Sequence, residues 1–307
     1  MKIPPGAVSN QDWTVLEARA VVHIRTDQAR FEVTGSGALA CLQGLVTCDL
    51  AKAPDRSRSY GGLLTSKGMI VAPLWIERQA PDRLVIETPA RASAAVEGVF
   101  ARSLPPRLCR WSTITDATAG LGLYGPLAAS LKGFTGALPA TVRGASGLDG
   151  TVPAGSAGAI VSALLEQGAV RASQALMESC RIFAGIPALG AEIDEKTLPQ
   201  EVRFDELGAV SYTKGCYLGQ ETVARVHFRG HPNRRLVLLV FDEEPPDPPA
   251  EMRDDDKPTG RLTSAAWSPE LDAWVGQAVI RREVADGATV HIGETTAVVR
   301  DRWLRAP

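Results

Sequence analysis

Downstream of Arg235 the chain consists of short apolar runs cut by turn residues: LVLLVF, GRLTSAAWSP, AWVGQAVIRREV and ATVHIGETTAVVRDRW. Runs of that length, rich in Val, Ile, Thr and Trp and punctuated by Gly, Pro and Asp, fold as strands and leave no room for an ordinary helix. They predict a small all-β domain over 234–307, closed as a barrel because closure removes exposed strand edges. Between the first two runs lies EEPPDPPAEMRDDDKP, acidic and proline-rich, which reads as a solvated loop or broad turn.

The region 1–233 has a different character. Between Thr14 and Thr88 apolar runs alternate with turns: AVVHIRT and LVIET read as strands, and ALACLQGLV as a short helix after the Gly35-Ser36-Gly37 turn. This predicts a mixed α+β region. From Leu127 to Val170 the chain is rich in Ala and Gly with little strong periodicity, and reads as loosely specified connecting structure around one or two strands. In ASQALMESCRIFAGIP, by contrast, Leu176, Cys180 and Phe183 recur at helical spacing before a Gly-Ile-Pro stop, the pattern of a helix with one buried face.

Charge and cysteine usage exclude several functions. With 33 basic and 35 acidic residues the net charge of -2 provides no field for holding a polyanion, so any nucleic-acid role must be local. The leading MKIPPGAVSN has no apolar core of the signal-peptide kind, and no stretch approaches the ~20 apolar residues of a membrane span; a cytoplasmic monomer is expected. Five cysteines (Cys41, Cys48, Cys109, Cys180, Cys216) in no C-x-x-C arrangement argue against a disulfide framework or a zinc ribbon. Cys41, Cys48 and Cys180 read as core thiols.

The densest run of special residues is YTKGCYLGQETVARVHFRGHPNRR, Tyr212 to Arg235. Gly215 and Gly219 bracket Cys216, which suggests a tight loop with positive φ or close backbone approach, and Gln220, Glu221 and the residues up to Arg225 can open a helix. A thiol just ahead of a helix N-terminus meets free backbone N–H groups and the positive dipole end, and Lys214 adds a nearby cation; both favour thiolate over a thiol of ordinary pKa ~8.5. The alternative is that the glycines shape a turn and Cys216 fills a small pocket. His227 and His231 have metal-ligand spacing only if helical, which Gly230 and Pro232 oppose, so no metal site is expected. Arg225, Arg229, Arg234 and Arg235 form the notable basic cluster, suited to an anionic ligand tail, a phosphate backbone or an acidic partner, or else a solvated face paired with local carboxylates.

KGCYLGQE resembles the signature of the YgfZ proteins, folate-binding relatives of the glycine-cleavage aminomethyltransferase with mitochondrial iron-sulfur assembly factors as eukaryotic counterparts. CLQGLVTCDL, LLTSKGMIVAPL, AGIPALGAEIDEKTLPQE and GRLTSAAWSPEL extend the similarity over most of the chain. The resemblance implies an aminomethyltransferase-like α+β folate-binding region (1–233) followed by the β-barrel (234–307), with tetrahydrofolate or a related reduced folate in a central opening and Cys216 at its rim. It further implies a role in making or repairing iron-sulfur clusters, including those of tRNA-thiomethylating enzymes, with iron-sulfur client or assembly proteins as partners and no direct nucleic-acid binding. Cys216 and Lys214 would carry the chemistry, and Gly215, Tyr217, Gly219, Gln220 and Glu221 would complete the signature loop.

Departures from the pattern shape the functional expectation. The aminomethyltransferases carry an acidic pair after a glycine turn where this chain, aligned on Gly68-Met69-Ile70-Val71, has Ala72 and Pro73, and they have an aspartate where Cys216 stands. Glycine-cleavage activity is therefore not expected. Cys48 stands where the family has asparagine, and Phe183 where it has glutamate, which leaves Asp49, Arg181, Glu192, Glu201 and Arg225 as candidate folate contacts. The leading hypothesis is a folate-binding accessory factor acting through Cys216; the alternatives are a folate-dependent one-carbon transferase or demethylase, and an RNA-binding module using the arginine cluster.

Overall fold

The computed structural model describes residues 8–254 and 257–307; the leading segment 1–7 and residues 255–256 of the acidic run lie outside the described residues. In chain order the elements are α1 (Asn10–Ala18), β1 (Val21–Arg25), β2 (Gln28–Thr34), α2 (Ala38–Gln43), β3 (Ser57–Leu64), β4 (Ile70–Ala80), β5 (Arg83–Pro89), α3 (Ser93–Ser103), β6 (Arg110–Thr113), β7 (Thr118–Tyr124), β8 (Leu138–Pro139), β9 (Gly147–Pro153), α4 (Ala154–Glu166), β10 (Val170–Arg171), α5 (Gln174–Phe183) and α6 (Gln220–Arg229). The barrel follows: β11 (Arg234–Phe241), β12 (Ala250–Asp254), β13 (Lys257–Ser268), β14 (Ala273–Arg281), β15 (Thr289–Ile292) and β16 (Thr295–Arg300).

Three sheets organise these elements. One has the order β10-β1-β7-β9-β8, the second β3-β4-β5-β2-β6, and the third closes as β11-β14-β13-β12-β15-β16. Strand β4 is buried along most of its length because it is flanked on both edges, by β3 and β5, and covered on both faces. In the barrel the alternation of inward and outward side chains places Val237, Leu239 and Phe241 of β11 in a common apolar core with Met252, Ile280 and Val299.

Helix α5 joins the two regions. The Ser173 side chain accepts from the Leu176 amide and caps it, and Leu176, Cys180 and Ile182 bury against Leu238 and Val275 of the barrel. Gln277, fully buried, donates its amide to the carbonyls of Arg181 and Ile182. Both carbonyls also accept local backbone N–H groups, Ile186 to Arg181 and Gly185 to Ile182 at 3.1 Å each, so the barrel adds a second donor to a C-terminus that the Gly185 turn already caps.

Two segments differ from expectation. The Ala/Gly-rich stretch contains a 13-residue helix, α4, whose Ala157, Val161 and Leu164 line up at helical spacing and pack over β1, β7 and β9. Gly155 and Gly158 weaken its intrinsic propensity and no side chain caps its start, so the signal is carried by tertiary burial. Within the acidic run, Ala250–Asp254 is strand β12, paired with β13, because Met252 is an inward-facing core residue between exposed charges.

Candidate functional site

A cleft of about 430 Å3 opens where β1, β4, the end of β5, α5 and the segment 186–189 converge. Trp75 and Pro73 of β4, Met177 of α5 and Ile186 give it apolar walls, while Arg25, Arg91, Arg143, Arg181, Asp27 and Glu178 supply its charged lining, Arg181 being paired with Glu178 at 2.6 Å. The Arg143 guanidinium lies 4.0 Å from the centre of the Trp75 ring, and the Trp75 indole N–H donates to the Thr141 carbonyl at 2.9 Å, which fixes the ring.

Behind the cleft is a buried ion cluster. Glu87 accepts from Arg25 at 2.8 and 3.1 Å, from Arg143 at 2.6 Å and from Arg30 at 3.3 Å. Asp149 pairs with Arg25, accepts from Arg143 Nε at 2.7 Å and takes the Tyr124 hydroxyl at 3.3 Å. Arg58 faces Glu77 at 3.6 Å and Asp149 at 3.8 Å. Four guanidiniums thus meet three carboxylates, an excess of one positive charge that Arg25 and Arg143 present to the cleft. Burial pushes both carboxyls up, but the guanidiniums outweigh it, Arg25 foremost at Glu87 and Arg143 at Asp149, so both stay below the ordinary carboxylate range. Burial and Arg25 lower the His23 pKa in the same wall.

Of the five candidate folate contacts, the structure places one in this cleft. Arg181 lines it, with Nη1 donating to the Ile186 carbonyl at 2.6 Å and to Glu192 at 3.0 Å. Glu192 sits beneath, fully buried, accepting also from Ser264 at 2.6 Å and the Ala188 amide at 2.8 Å; it orients Arg181 instead of meeting a ligand. Glu201 is occupied by a two-pronged pair with Arg234, both contacts at 3.0 Å. Asp49 accepts from Gln43 at 2.8 Å and pairs with Lys52 at 3.4 Å, and Arg225 is exposed on α6; neither is part of the lining. The two departures also sit outside it: Cys48 is buried beside Gly61, and Phe183 stacks on Trp13 at 5.1 Å. Ala72 is in the core, whereas Pro73 stands in the wall and contributes no carboxyl there.

The residues missed by sequence reasoning are Arg25, Glu87, Asp149 and Arg143. For Arg25 and Glu87 the signal is a charge inside a strand that is otherwise apolar, VVHIR and LVIET, where burial of the strand obliges the charge to find a partner; Arg143, in a loop, carries no such signal.

The signature loop lies on different elements. Its ends are pinned by Ser211 N–H to the Thr47 carbonyl at 2.9 Å and Leu218 N–H to the Gly44 carbonyl at 3.1 Å. Gly219 has φ +82°, and a side chain there would meet the Thr65 carbonyl at 2.5 Å, so glycine is required on both counts. Gly215 has open space around it and no positive φ. Tyr217 is buried, Gln220 and Glu221 open α6, and Cys216, just ahead of Tyr217, is exposed in the loop but not in the cleft lining. Lys214 does not serve as the cation beside the thiol: its buried ammonium turns inward to the carbonyls of Val46 at 2.7 Å and Cys48 at 2.8 Å, with the Tyr217 ring centre 5.1 Å away. Burial brings its pKa down to about 8. Among the described residues no helix is long and apolar enough to cross a membrane.

The family model of the GCVT N-terminal domain matches residues 7–136, and that of the glycine cleavage T-protein C-terminal barrel domain matches residues 234–300. The chain is 27% identical over 296 residues to the tRNA-modifying protein YgfZ of Sodalis glossinidius, covering 88% of each. It is 27% identical over 223 residues to the protein of the same name from Colwellia psychrerythraea, covering 67% of each. Among solved structures, the glycine cleavage system aminomethyltransferase T from Bartonella henselae matches 96% of this chain and 88% of its own with a TM-score of 0.83, a likeness of fold at 21% identity. The chain has an aminomethyltransferase-like fold, with a GCVT N-terminal domain ahead of a glycine cleavage T-protein C-terminal barrel domain, and its homologues include the tRNA-modifying proteins named YgfZ.

Proposed function

We propose that this protein binds a reduced folate in the cleft and acts, through the Cys216 thiol, as an accessory factor in assembling or repairing iron-sulfur clusters, including those of enzymes that thiomethylate tRNA. The observation that carries the reading is the cleft itself, about 430 Å3 with Trp75 and Met177 walls and a surplus of guanidinium over carboxylate. A folate is a flat heteroaromatic ring, an aminobenzoyl bridge and one or more glutamyl carboxylates. Trp75, Met177 and Ile186 suit the rings, Arg91 and Arg143 suit the carboxylates, and Asp27 can accept from ring N–H groups. Bound tetrahydrofolate would supply nitrogens able to carry a one-carbon unit.

A transferase or demethylase would need a carboxyl free to move a proton near the folate. Pro73 supplies none, Glu87 and Asp149 are each held ionised by more than one arginine, far from the pKa near 7 that suits a general acid or base, and Glu178 is paired with Arg181, so Asp27 is the lining carboxylate on which such a reaction would have to rest. Cys216 is the exposed cysteine among the five, in a loop that packing leaves turned to solvent.

Titration with tetrahydrofolate tests the ligand. At a hundredfold excess over Kd, binding adds about 2.7 kcal/mol to the native state, or roughly 5–10 °C in Tm; no shift at millimolar ligand refutes the cleft assignment. The Cys216→Ser variant tests the thiol. It should keep that shift yet fail to restore iron-sulfur enzyme activity in a strain lacking the protein, and full complementation by it would refute the role of the thiol.

A further inference from the structure

Helix α6, which leaves the signature loop, carries a surface that neither the cleft nor the thiol uses. Phe228 is 66% exposed, the most exposed of the large hydrophobic residues described. It is not a loose ring: it meets His227 edge-on at 4.7 Å and Tyr212 at 5.7 Å, and His227 stacks on Tyr212 at 3.7 Å. Tyr212 is itself held by its hydroxyl donating to Asp205 at 2.6 Å and by the Gln200 amide at 3.1 Å. Around this platform Arg225 and Arg229 are exposed, and among the described residues neither has a carboxylate in ion-pair range. Asp205, the acid that meets the platform, is already engaged by Tyr212 and His227.

We infer that this face, Phe228 flanked by Arg225 and Arg229 on the Tyr212–His227 platform, is the docking surface for an acidic protein partner that comes to Cys216. The inference deepens the proposed function by naming the partner surface of the same loop, and rests on that reading for what Cys216 does. A preordered aromatic anchor beside unpaired arginines is the composition of an interface centre, and it loses little rotamer freedom on binding. The unpaired cations call for carboxylates on the other side, around an apolar side chain that covers Phe228. One ring and two arginines on a chain of net charge -2 make a poor single-strand platform, which needs successive stacking rings and a basic groove. Phe228 stands about 12 Å along the helix axis from Gln220 at 1.5 Å per residue, and a partner footprint of about 800 Å2 is roughly 30 Å across. A footprint centred on Phe228 therefore reaches about 15 Å, as far as Gln220, where α6 leaves the signature loop.

The test uses the full chain with Phe228 replaced by p-benzoylphenylalanine, irradiated in cells, with and without Arg225→Glu and Arg229→Glu. The expected result is an adduct to a peptide rich in Asp and Glu whose yield falls at least tenfold on charge reversal and returns when the partner's carboxylates are reversed to Arg. Arg225→Gln with Arg229→Gln should fall between, and all variants should match the parent in Tm, in the tetrahydrofolate shift and in the Cys216 alkylation rate, so that a lost adduct is not lost folding. No adduct, an adduct to RNA, an adduct to a second copy of this chain, or a yield indifferent to charge reversal overturns the inference. If Cys216→Ser proves fully active while the charge-dependent adduct stands, the thiol reading fails and the docking surface survives.

Discussion

Replacing Glu87 by glutamine keeps the shape of the side chain and removes its charge at the most densely paired carboxylate of the fold. Glu87 is 1% exposed and serves Arg25, Arg30 and Arg143 through four contacts between 2.6 and 3.3 Å. Without it, four buried guanidiniums are left with Asp149 and Glu77, and the amide N–H2 of glutamine points a donor at a donor. Breaking a buried pair from one side costs about 3–5 kcal/mol, because the remaining charge stays desolvated. At roughly 2–4 °C per kcal/mol, that is a fall in Tm of roughly 6–20 °C. The control is Arg83→Ala, which removes a bridge to Glu32 of similar length, 2.7 Å, with the arginine side chain 54% exposed; an exposed pair contributes about 0–1 kcal/mol. Differential scanning calorimetry on both variants decides. If Glu87→Gln melts no lower than Arg83→Ala, the cluster is not an energetically coupled unit and the reasoning about its net charge fails with it.

The same cluster sets an acid limit. Since Glu87 and Asp149 titrate below their unfolded values of 4.5 and 3.8, their contribution is present above those values and is lost as pH falls through the folded ones; wild-type Tm should drop more steeply from pH 5 to pH 3 than that of Glu87→Gln. Lys214 works in the opposite sense: with a folded pKa of about 8 against 10.5 unfolded, the unfolded chain binds more protons between them, so wild-type stability should rise relative to Lys214→Met as pH goes from 7.5 to 10. Gly219→Ala should cost about 1–2 kcal/mol of stability for the left-handed backbone alone and more for the Thr65 contact, and so melt lower, whereas Gly215→Ala, in open space, should melt like wild type. Iodoacetamide at neutral pH should label Cys216 before Cys48, Cys109 and Cys180, whose thiols burial pushes up to about 12, 11 and 12; equal rates under native conditions would contradict the exposed loop.

Legibility in the sequence followed the range of the interactions. The barrel strands and α5 were readable because period and punctuation are local: LVLLVF ends at Asp242, and Leu176, Cys180 and Phe183 lie within three turns. Helix α4 was hidden because its glycines erase the local preference and a sheet supplies the burial. The cleft was hidden for a stronger reason: Arg25 and Asp149 meet through the registers of one sheet, Val22 opposite Leu123 and Leu121 opposite Gly150, while Glu87 comes from β5 of the other sheet and Arg143 from a loop. Lys214 was misread because adjacency to Cys216 suggested a shared environment. The buried carbonyls of Val46 and Cys48 offer the ammonium acceptors that solvent beside the thiol would not improve upon, and the bent loop lets it reach them.

One hairpin ties the two halves of the proposed site together. The turn between β3 and β4 meets the signature loop, where Gly68 faces Thr222 and Gly219 lies against the Thr65 carbonyl. A few residues on, β4 places Pro73 and Trp75 in the cleft wall, and further along Glu77 meets Arg58 of the paired strand at the edge of the ion cluster. Ile70 to Trp75 spans about 17 Å at 3.3 Å per residue. Cys216 is outside the lining. What joins cleft and loop is the β3–β4 hairpin, whose turn packs against Gly219 of the signature loop and whose second strand puts Pro73 and Trp75 in the cleft wall.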